Sequence, residues 1–242
     1  DVYKRQVQGL FEQAGIPLIG CGTLSSALCM DKARAHALAR DAHINVPGFI
    51  TANIQTSAQE LSKRAAELEY PIYVKPVKAG SSFGISRITS PEQLPQAAEK
   101  AFEFDNEITL EEEIPGREVG CAVLGAEKLI LGRVDLIQSP GLFDYNEKYN
   151  PKESKIYMPA PIAPELEERI QQTAAVLYRL LGCSGFARVD MFLTPQNQIV
   201  FNEINTIPGL TAHSRFPNMM KGAGLELKEV MRVLIELSLK NE

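Results

Sequence analysis

Arg188, Asp190, Glu203 and Asn205 are the residues whose types and spacing most directly specify a chemistry. They belong to the stretch 186–205, in which two apolar runs rich in β-branched and aromatic residues flank Thr-Pro-Gln-Asn-Gln. That pattern predicts a hairpin. With 195–198 as its loop, Thr194 faces Ile199, Asp190 faces Glu203 and Arg188 faces Asn205. Side chains repeat every second residue along a strand, so all four project from one surface. Carboxylates directly opposite one another repel unless one is protonated or a cation lies between them. Carboxylate and amide oxygens suit Mg²⁺ or Mn²⁺ rather than zinc. The same residues would also fit a solvated hairpin face on which Arg188 neutralises the acids. The sequel, Thr206 to Ser214, favours the metal reading: a loop punctuated by Pro208 and Gly209 leaves the strand beside the cluster, where it can offer backbone N–H groups to a ligand.

Three further stretches could hold a nucleotide. Lys75 ends a strand-like run and is followed by Gly80-Ser-Ser-Phe-Gly84, where small residues let backbone approach an anion and Ser81 and Ser82 add hydroxyls. The lysine precedes the glycines, so this is not a P-loop, and a hairpin turn explains the stretch equally well. Glu111-Glu-Glu-Ile-Pro-Gly-Arg-Glu118 places acids at a strand end. These either face solvent or accept hydrogen bonds from ribose hydroxyls while the extended linker reads a purine edge. Residues 139–150 form a long loop with Phe143, Tyr145, Lys148 and Tyr149, either a lid that excludes water or a surface excursion. Lys32 on its own reads as an exposed helical lysine.

The elements that position these groups mix helices and hairpins. Helices are expected over 25–44, from the Ser57–Glu60 capping box to about 68, from Ser90-Pro to about 104, over 164–181 and over 225–240. Strands are expected at 16–20, 70–75, 85–88, 108–114, 117–124 and 128–136, with 139–160 irregular. Without a regular βαβ alternation the class is α+β. At 242 residues there is ample core for one large domain or two small ones. A net charge of −5 with no basic stripe argues against nucleic acid as partner. No apolar run approaches the roughly 18–20 residues of a membrane span. Cys21, Cys29, Cys121 and Cys183 show no C-x-x-C spacing, which points to buried thiols in a reducing, cytoplasmic setting. His36 and His43 read as surface or packing residues. The opening Asp-Val-Tyr, without methionine, runs into what looks like the tail of a helix, as expected of a chain cut inside a domain.

As an ordered set, Met30-Asp-Lys, Val74-Lys-Pro-Val-Lys-Ala-Gly-Ser-Ser-Phe-Gly84, Asp144 to Tyr149, Ala187-Arg-Val-Asp190, Asn202-Glu-Ile-Asn-Thr-Ile-Pro-Gly209 and Thr211 to Arg215 resemble the D-alanine–D-alanine ligase family of ATP-grasp enzymes. The resemblance covers the chain from about residue 7. It is closest to the vancomycin-resistance branch that makes D-alanyl-D-serine. The Glu-Lys-Tyr run at 147–149 speaks against a D-lactate product. The resemblance implies an ATP-grasp fold: 1–29 as the remnant of an N-terminal substrate-binding domain, 30–118 as a central subdomain, and 119–242 as a C-terminal subdomain with metal site and lid.

It also implies residue roles. Lys32 and Lys75 would contact ATP, together with Ser82 and Lys148. Glu111 and Glu118 would take the ribose and adenine side, with linker backbone from Glu112 and Ile114. Asp190, Glu203 and Asn205 would hold two Mg²⁺ or Mn²⁺ ions, and Arg188 with the Gly209 N–H would stabilise the oxyanion. Ser81 would position substrate and lid, Lys148 and Tyr149 would close over it, and Ser214 would bind the carboxylate of the second D-amino acid. The implied reaction joins D-alanine to D-serine or D-alanine through a D-alanyl phosphate, for peptidoglycan precursors, in a possible homodimer. Housekeeping D-alanine–D-alanine ligation and an inactive ATP-binding fragment are the alternatives. The family's acid and histidine that hold the first D-alanine have no counterpart here, so a chain of this extent is expected to make dipeptide poorly.

Overall fold

The computed structural model describes residues 4–80, 82–138 and 155–239. Ser81, Lys148 and Tyr149, and with them the expected lid, lie outside the described residues. In chain order the helices are α1 (Lys4–Gln13), α2 (Thr23–Met30), α3 (Lys32–Asp41), α4 (Ala58–Ala65), α5 (Leu94–Phe102), α6 (Pro164–Leu180), α7 (Arg215–Gly222) and α8 (Leu227–Leu239). The strands are β1 (Phe49–Asn53), β2 (Ile72–Pro76), β3 (Ser86–Ile88), β4 (Glu107–Glu112), β5 (Arg117–Gly125), β6 (Leu129–Leu131), β7 (Asp135–Gln138), β8 (Lys155–Tyr157), β9 (Gly185–Leu193) and β10 (Ile199–Asn205).

Two antiparallel sheets organise these elements. The smaller runs β1-β4-β2-β3 and the larger β10-β9-β5-β7-β8, with β6 against β5. Every described pairing is antiparallel, which agrees with the α+β expectation. Leu61, Ala65, Leu94, Ala98 and Ala101 of α4 and α5 pack on Ile72, Val74, Ile108 and Leu110 to form the smaller sheet's core. The larger sheet shows how strand alternation divides labour. Val119, Cys121 and Val123 of β5 and Ala187, Val189 and Met191 of β9 face α6. Although α3 precedes the smaller sheet in the chain, its Ala35 and Ala39 join this larger core. On the opposite face, Ala122, Leu124 and Phe186 bury against Phe216, Met219 and Met220 of α7 and against α8. Glu118, Gly120, Arg188 and Asp190 follow on that same face and turn it into a cleft wall.

Six local expectations change, for the strand expected over 128–136 is broken into β6 and β7, and β1 is an unanticipated strand. The helix expected over 25–44 is two helices, because Asp31 turns extended and its side chain accepts from the Arg34 N–H, capping a new helix start. No strand forms at 16–20. Lys155–Tyr157, expected to be irregular, pairs with β7. An unanticipated helix, α7, follows Ser214. The Ser57 cap and the Ser90–Gln93 capping box are present.

Candidate active site

The hairpin expected over 186–205 forms, with a different turn and the expected pairing of Asp190 with Glu203 and Arg188 with Asn205. The Thr194 N–H donates to the Gln198 carbonyl, so the turn spans 195–197, with Asn197 at φ 58, and Leu193 rather than Thr194 pairs with Ile199. That register alone would move the acids out of step. A β-bulge between Phe201 and Glu203 inserts Asn202 and restores it, so Asp190 pairs with Glu203 and Arg188 with Asn205. The bulge also lets consecutive residues, Asn202 and Glu203, both line the cleft while Phe201 and Ile204 stay in the core.

Arg188 Nε and Nη2 each donate to Asp190 at 2.7 Å, as side chains two apart on one strand face can. Behind them lies a residue for which sequence reasoning had no role. Arg215, at the first turn of α7, makes a fork on Asp135 at 2.7 and 2.8 Å and reaches Glu118 at 3.2 Å and Asp190 at 3.4 Å. Burial alone would lower the Arg215 pKa, but Asp135, Asp190 and Glu118 raise it well above its usual value. Asp135 is fully buried. Gly120 leaves room for this knot, since a Cβ there would run into Arg215 Nη2 and lie 2.9 Å from Asp135 and 3.0 Å from Asp190.

The smaller sheet supplies the cations of the other wall. Lys75 Nζ donates to Glu111 at 2.6 Å. Glu111 does not face solvent but is 1% exposed. Burial pushes its carboxyl up, and nearby positive charge, that of Lys75 foremost, outweighs this to hold it below the usual carboxylate value. Lys32, far from an exposed helical lysine, donates to the Ala79 carbonyl at 2.8 Å and lies 4.0 Å from Glu203, joining the loop after β2 to the acid pair. Glu112 turns to the other side, accepting from the Glu69 N–H, while Glu113 receives a fork from Arg87 and the Tyr73 hydroxyl.

These walls enclose a cavity of about 680 Å³, within the range of small-molecule sites. Lys32, Lys75, Ser82, Glu111, Glu112, Ile114, Glu118, Arg188, Asp190 and Glu203 all line it. Asn205, Gly209 and Ser214 do not line it; they stand at its margin. The Asn205 side-chain oxygen accepts from the Ile207 N–H at 3.1 Å. Ser214, the residue before α7, shares a 2.8 Å hydrogen bond with Thr211. A Cβ on Gly209 would sit 2.6 Å from Ser214 Oγ, so glycine is what lets these two approach. Arg215 anchors the end of this loop to Asp190's carboxylate, tying the margin to the acid pair.

Among the described residues, five basic and six acidic residues line the cavity, a balance that suits a polyanion accompanied by a divalent cation. Among the described residues no cluster of three His, Cys, Asp or Glu side chains could cage a metal by itself. Two carboxylates and an amide on one face instead fit an ion whose remaining ligands are phosphate oxygens and water, as Mg²⁺ prefers. All four cysteines are free and buried, with Cys29 and Cys183 sulfurs 3.6 Å apart. No helix among the described residues is long and apolar enough to cross a membrane.

The profile of the D-ala D-ala ligase C-terminus family matches residues 38–236. The crystal structure of the VanG D-Ala:D-Ser ligase from Enterococcus faecalis superposes with a TM-score of 0.89 at 57% identity, covering 96% of this chain and 68% of that one. A putative D-alanine–D-lactate ligase of Streptomyces coelicolor is 44% identical over 96% of this chain and 67% of its own length. D-alanine–D-alanine ligase A of Escherichia coli is 41% identical over 97% and 65%. The chain thus spans about two thirds of the length of its relatives. Two antiparallel sheets closing on a cation-lined cleft, a family profile over most of the chain and relatives well above 30% identity lead to one conclusion: this chain belongs to the D-alanine–D-alanine ligase family of ATP-dependent, ATP-grasp ligases.

Proposed function

We propose that the cleft binds ATP with Mg²⁺ or Mn²⁺ and that the protein joins D-alanine to D-serine. The facing pair Asp190–Glu203, in one cavity with Lys32 and Lys75, is the observation that carries this reading. Lys75, and Lys32 beside Glu203, are placed to offset phosphate charge, with Ser82 on the adjoining loop. Glu118 and the 112–114 linker border the same cavity where ribose and purine would lie. Asp190, Glu203 and Asn205 would hold the divalent ions, which when bound supply charge neutralisation at the phosphates.

The carboxylate oxygen of the first D-alanine attacks the γ-phosphorus, and ADP leaves. The amine of the second D-amino acid then attacks the acyl carbon of the D-alanyl phosphate, inorganic phosphate departs, and the amine loses a proton. Positioning and electrostatics carry such steps more than a strong base does. Arg188 and the Gly209 N–H would stabilise the tetrahedral oxyanion, and Ser214 would receive the acceptor's carboxylate. Ser81, Lys148 and Tyr149 would complete the substrate side and its cover.

D-serine as acceptor draws its support from the 57% identity to the D-Ala:D-Ser ligase, against 44% and 41% for the D-lactate and D-alanine relatives. Incubation with MgATP, D-alanine and D-serine, read by mass spectrometry, tests this. D-alanyl-D-serine should dominate. A mixture containing mainly D-alanyl-D-alanine would overturn the acceptor, and nucleotide binding without any dipeptide would favour the fragment reading.

A further inference from the structure

His36 is the buried titratable group that the proposed chemistry does not use. It is 1% exposed, on the face of α3 that meets both sheets. Its Nε2 lies 2.8 Å from the carbonyl of Asn202, the bulge residue. A carbonyl only accepts, so Nε2 carries the proton and the neutral ring presents a lone pair at Nδ1. That lone pair faces Glu111 Oε1 at 3.9 Å, and neither atom has a hydrogen-bond partner among the described residues. The edges of Phe49 and Phe201, with centroids 5.6 and 5.4 Å away, hold the ring in this orientation. Two acceptors thus stand opposed in a buried site, a costly arrangement that one added proton would turn into a charge-assisted hydrogen bond.

We propose that His36 is a proton-coupled stand-in for Lys75: when nucleotide phosphate draws Lys75 from Glu111, His36 takes a proton from solvent and its Nδ1–H becomes the partner of Glu111. This rests on the nucleotide reading of the cleft. In the structure Lys75 neutralises Glu111, and burial keeps the imidazole below its usual pKa despite Glu111's pull. The charged groups facing the site are Lys32 on its own helix, Lys75 on β2 and Glu111 on β4. Arg40 lies over the Phe49 ring, and Glu203 follows the bulge on β10. Departure of Lys75 leaves a buried carboxylate whose nearest ionisable group is His36, which an uncompensated anion drives to its charged form. Because Nε2 stays on the Asn202 carbonyl, the exchange reports phosphate engagement to the bulge that sets Glu203. His36 is therefore a positioning residue.

Calorimetric titration with magnesium and a non-hydrolysable ATP analogue, in buffers of differing ionisation enthalpy at about pH 7.5, counts the protons. The wild type should take up close to one more proton per nucleotide than His36→Gln, whose amide still donates to Asn202 but does not titrate at that pH. The same nucleotide protons enter both titrations and cancel. Equal uptake would overturn the proposal. A second measurement needs no variant at His36. The chain has 3 histidines, so imidazole ¹⁵N spectra, assigned through His43→Gln and His213→Gln, show the charge of His36 directly. The neutral Nε2–H form should give way to imidazolium on saturation, and a ring that stays neutral refutes the relay. If no binding heat appears and a fluorescent nucleotide is not retained, the nucleotide site itself is refuted and the relay falls with it.

Discussion

Replacing Arg215 by methionine removes the cation shared by Asp135, Asp190 and Glu118 while keeping much of its aliphatic volume. The Asp135 and Asp190 side chains are 0% and 2% exposed and that of Arg215 is 10% exposed, so solvent cannot take over the lost contacts. Removing one partner of a buried pair costs about 3–5 kcal/mol, because the other charge stays buried and uncompensated. For a chain of this size each kcal/mol moves the midpoint by about 2–4 °C, so the variant should melt roughly 6–20 °C lower. Urea unfolding of Arg215→Met, Asp135→Asn and the double variant separates lost charge pairing from lost packing. Asp135→Asn removes the most buried of the stranded charges, so the double variant should be less destabilised than the sum of the singles, by about 0.5–3 kcal/mol. An Arg215→Met midpoint within about 2 °C of wild type, or strictly additive singles, would refute the claim that this arginine holds the acid knot together.

Gly120→Ala should destabilise by about 1–3 kcal/mol, since the new methyl group meets the Arg215 guanidinium. Urea unfolding checks it, and a shift below experimental error would show that the knot moves aside freely. Gly209→Ala pushes on Ser214 Oγ in an exposed loop. Its unfolding free energy should change by less than about 0.5 kcal/mol while the KM for the second amino acid rises; an unchanged KM would detach these residues from the acceptor. His36 sits below its ordinary pKa of 6.5 because of burial. The unfolded chain therefore binds that proton first, and stability should fall as pH drops below about 6.5. Glu111, held below its ordinary value, adds a second loss at lower pH, as pH falls through its folded pKa. Thermal melts of His36→Gln should lack the first decline; a pH profile identical to wild type would exclude His36 as its source.

Much of the site was legible because strand alternation is strict: once 186–205 is a hairpin, the faces of Arg188, Asp190, Glu203 and Asn205 follow. The turn was not legible to one residue. Thr-Pro-Gln-Asn-Gln permits closure at Gln198 or Ile199, and the bulge at Asn202 that reconciles the two depends on a tertiary contact, His36 with the Asn202 carbonyl. Arg215, Asp135 and His36 went unrecognised as site residues for a related reason, each acting across more than 70 positions on a partner in another element. A faint signal existed for Asp135, an acid between Val134 and Leu136 in an otherwise apolar run. Glu111 was the hardest to place, since a triplet of glutamates at a strand end reads as solvated, and only the β2–β4 register brings Lys75 beside the first of them. The break between α2 and α3 was readable in principle, because an aspartate ahead of a lysine-and-arginine run is a good helix cap.

The central claim is that Asp190 and Glu203 would hold the divalent cation that accompanies the nucleotide. Titration of ATP with and without Mg²⁺, in wild type and Glu203→Gln, tests it most directly. Magnesium should tighten ATP binding in the wild type by at least about tenfold, some 1.4 kcal/mol, and do little in the variant. The same magnesium dependence in both proteins would contradict the account.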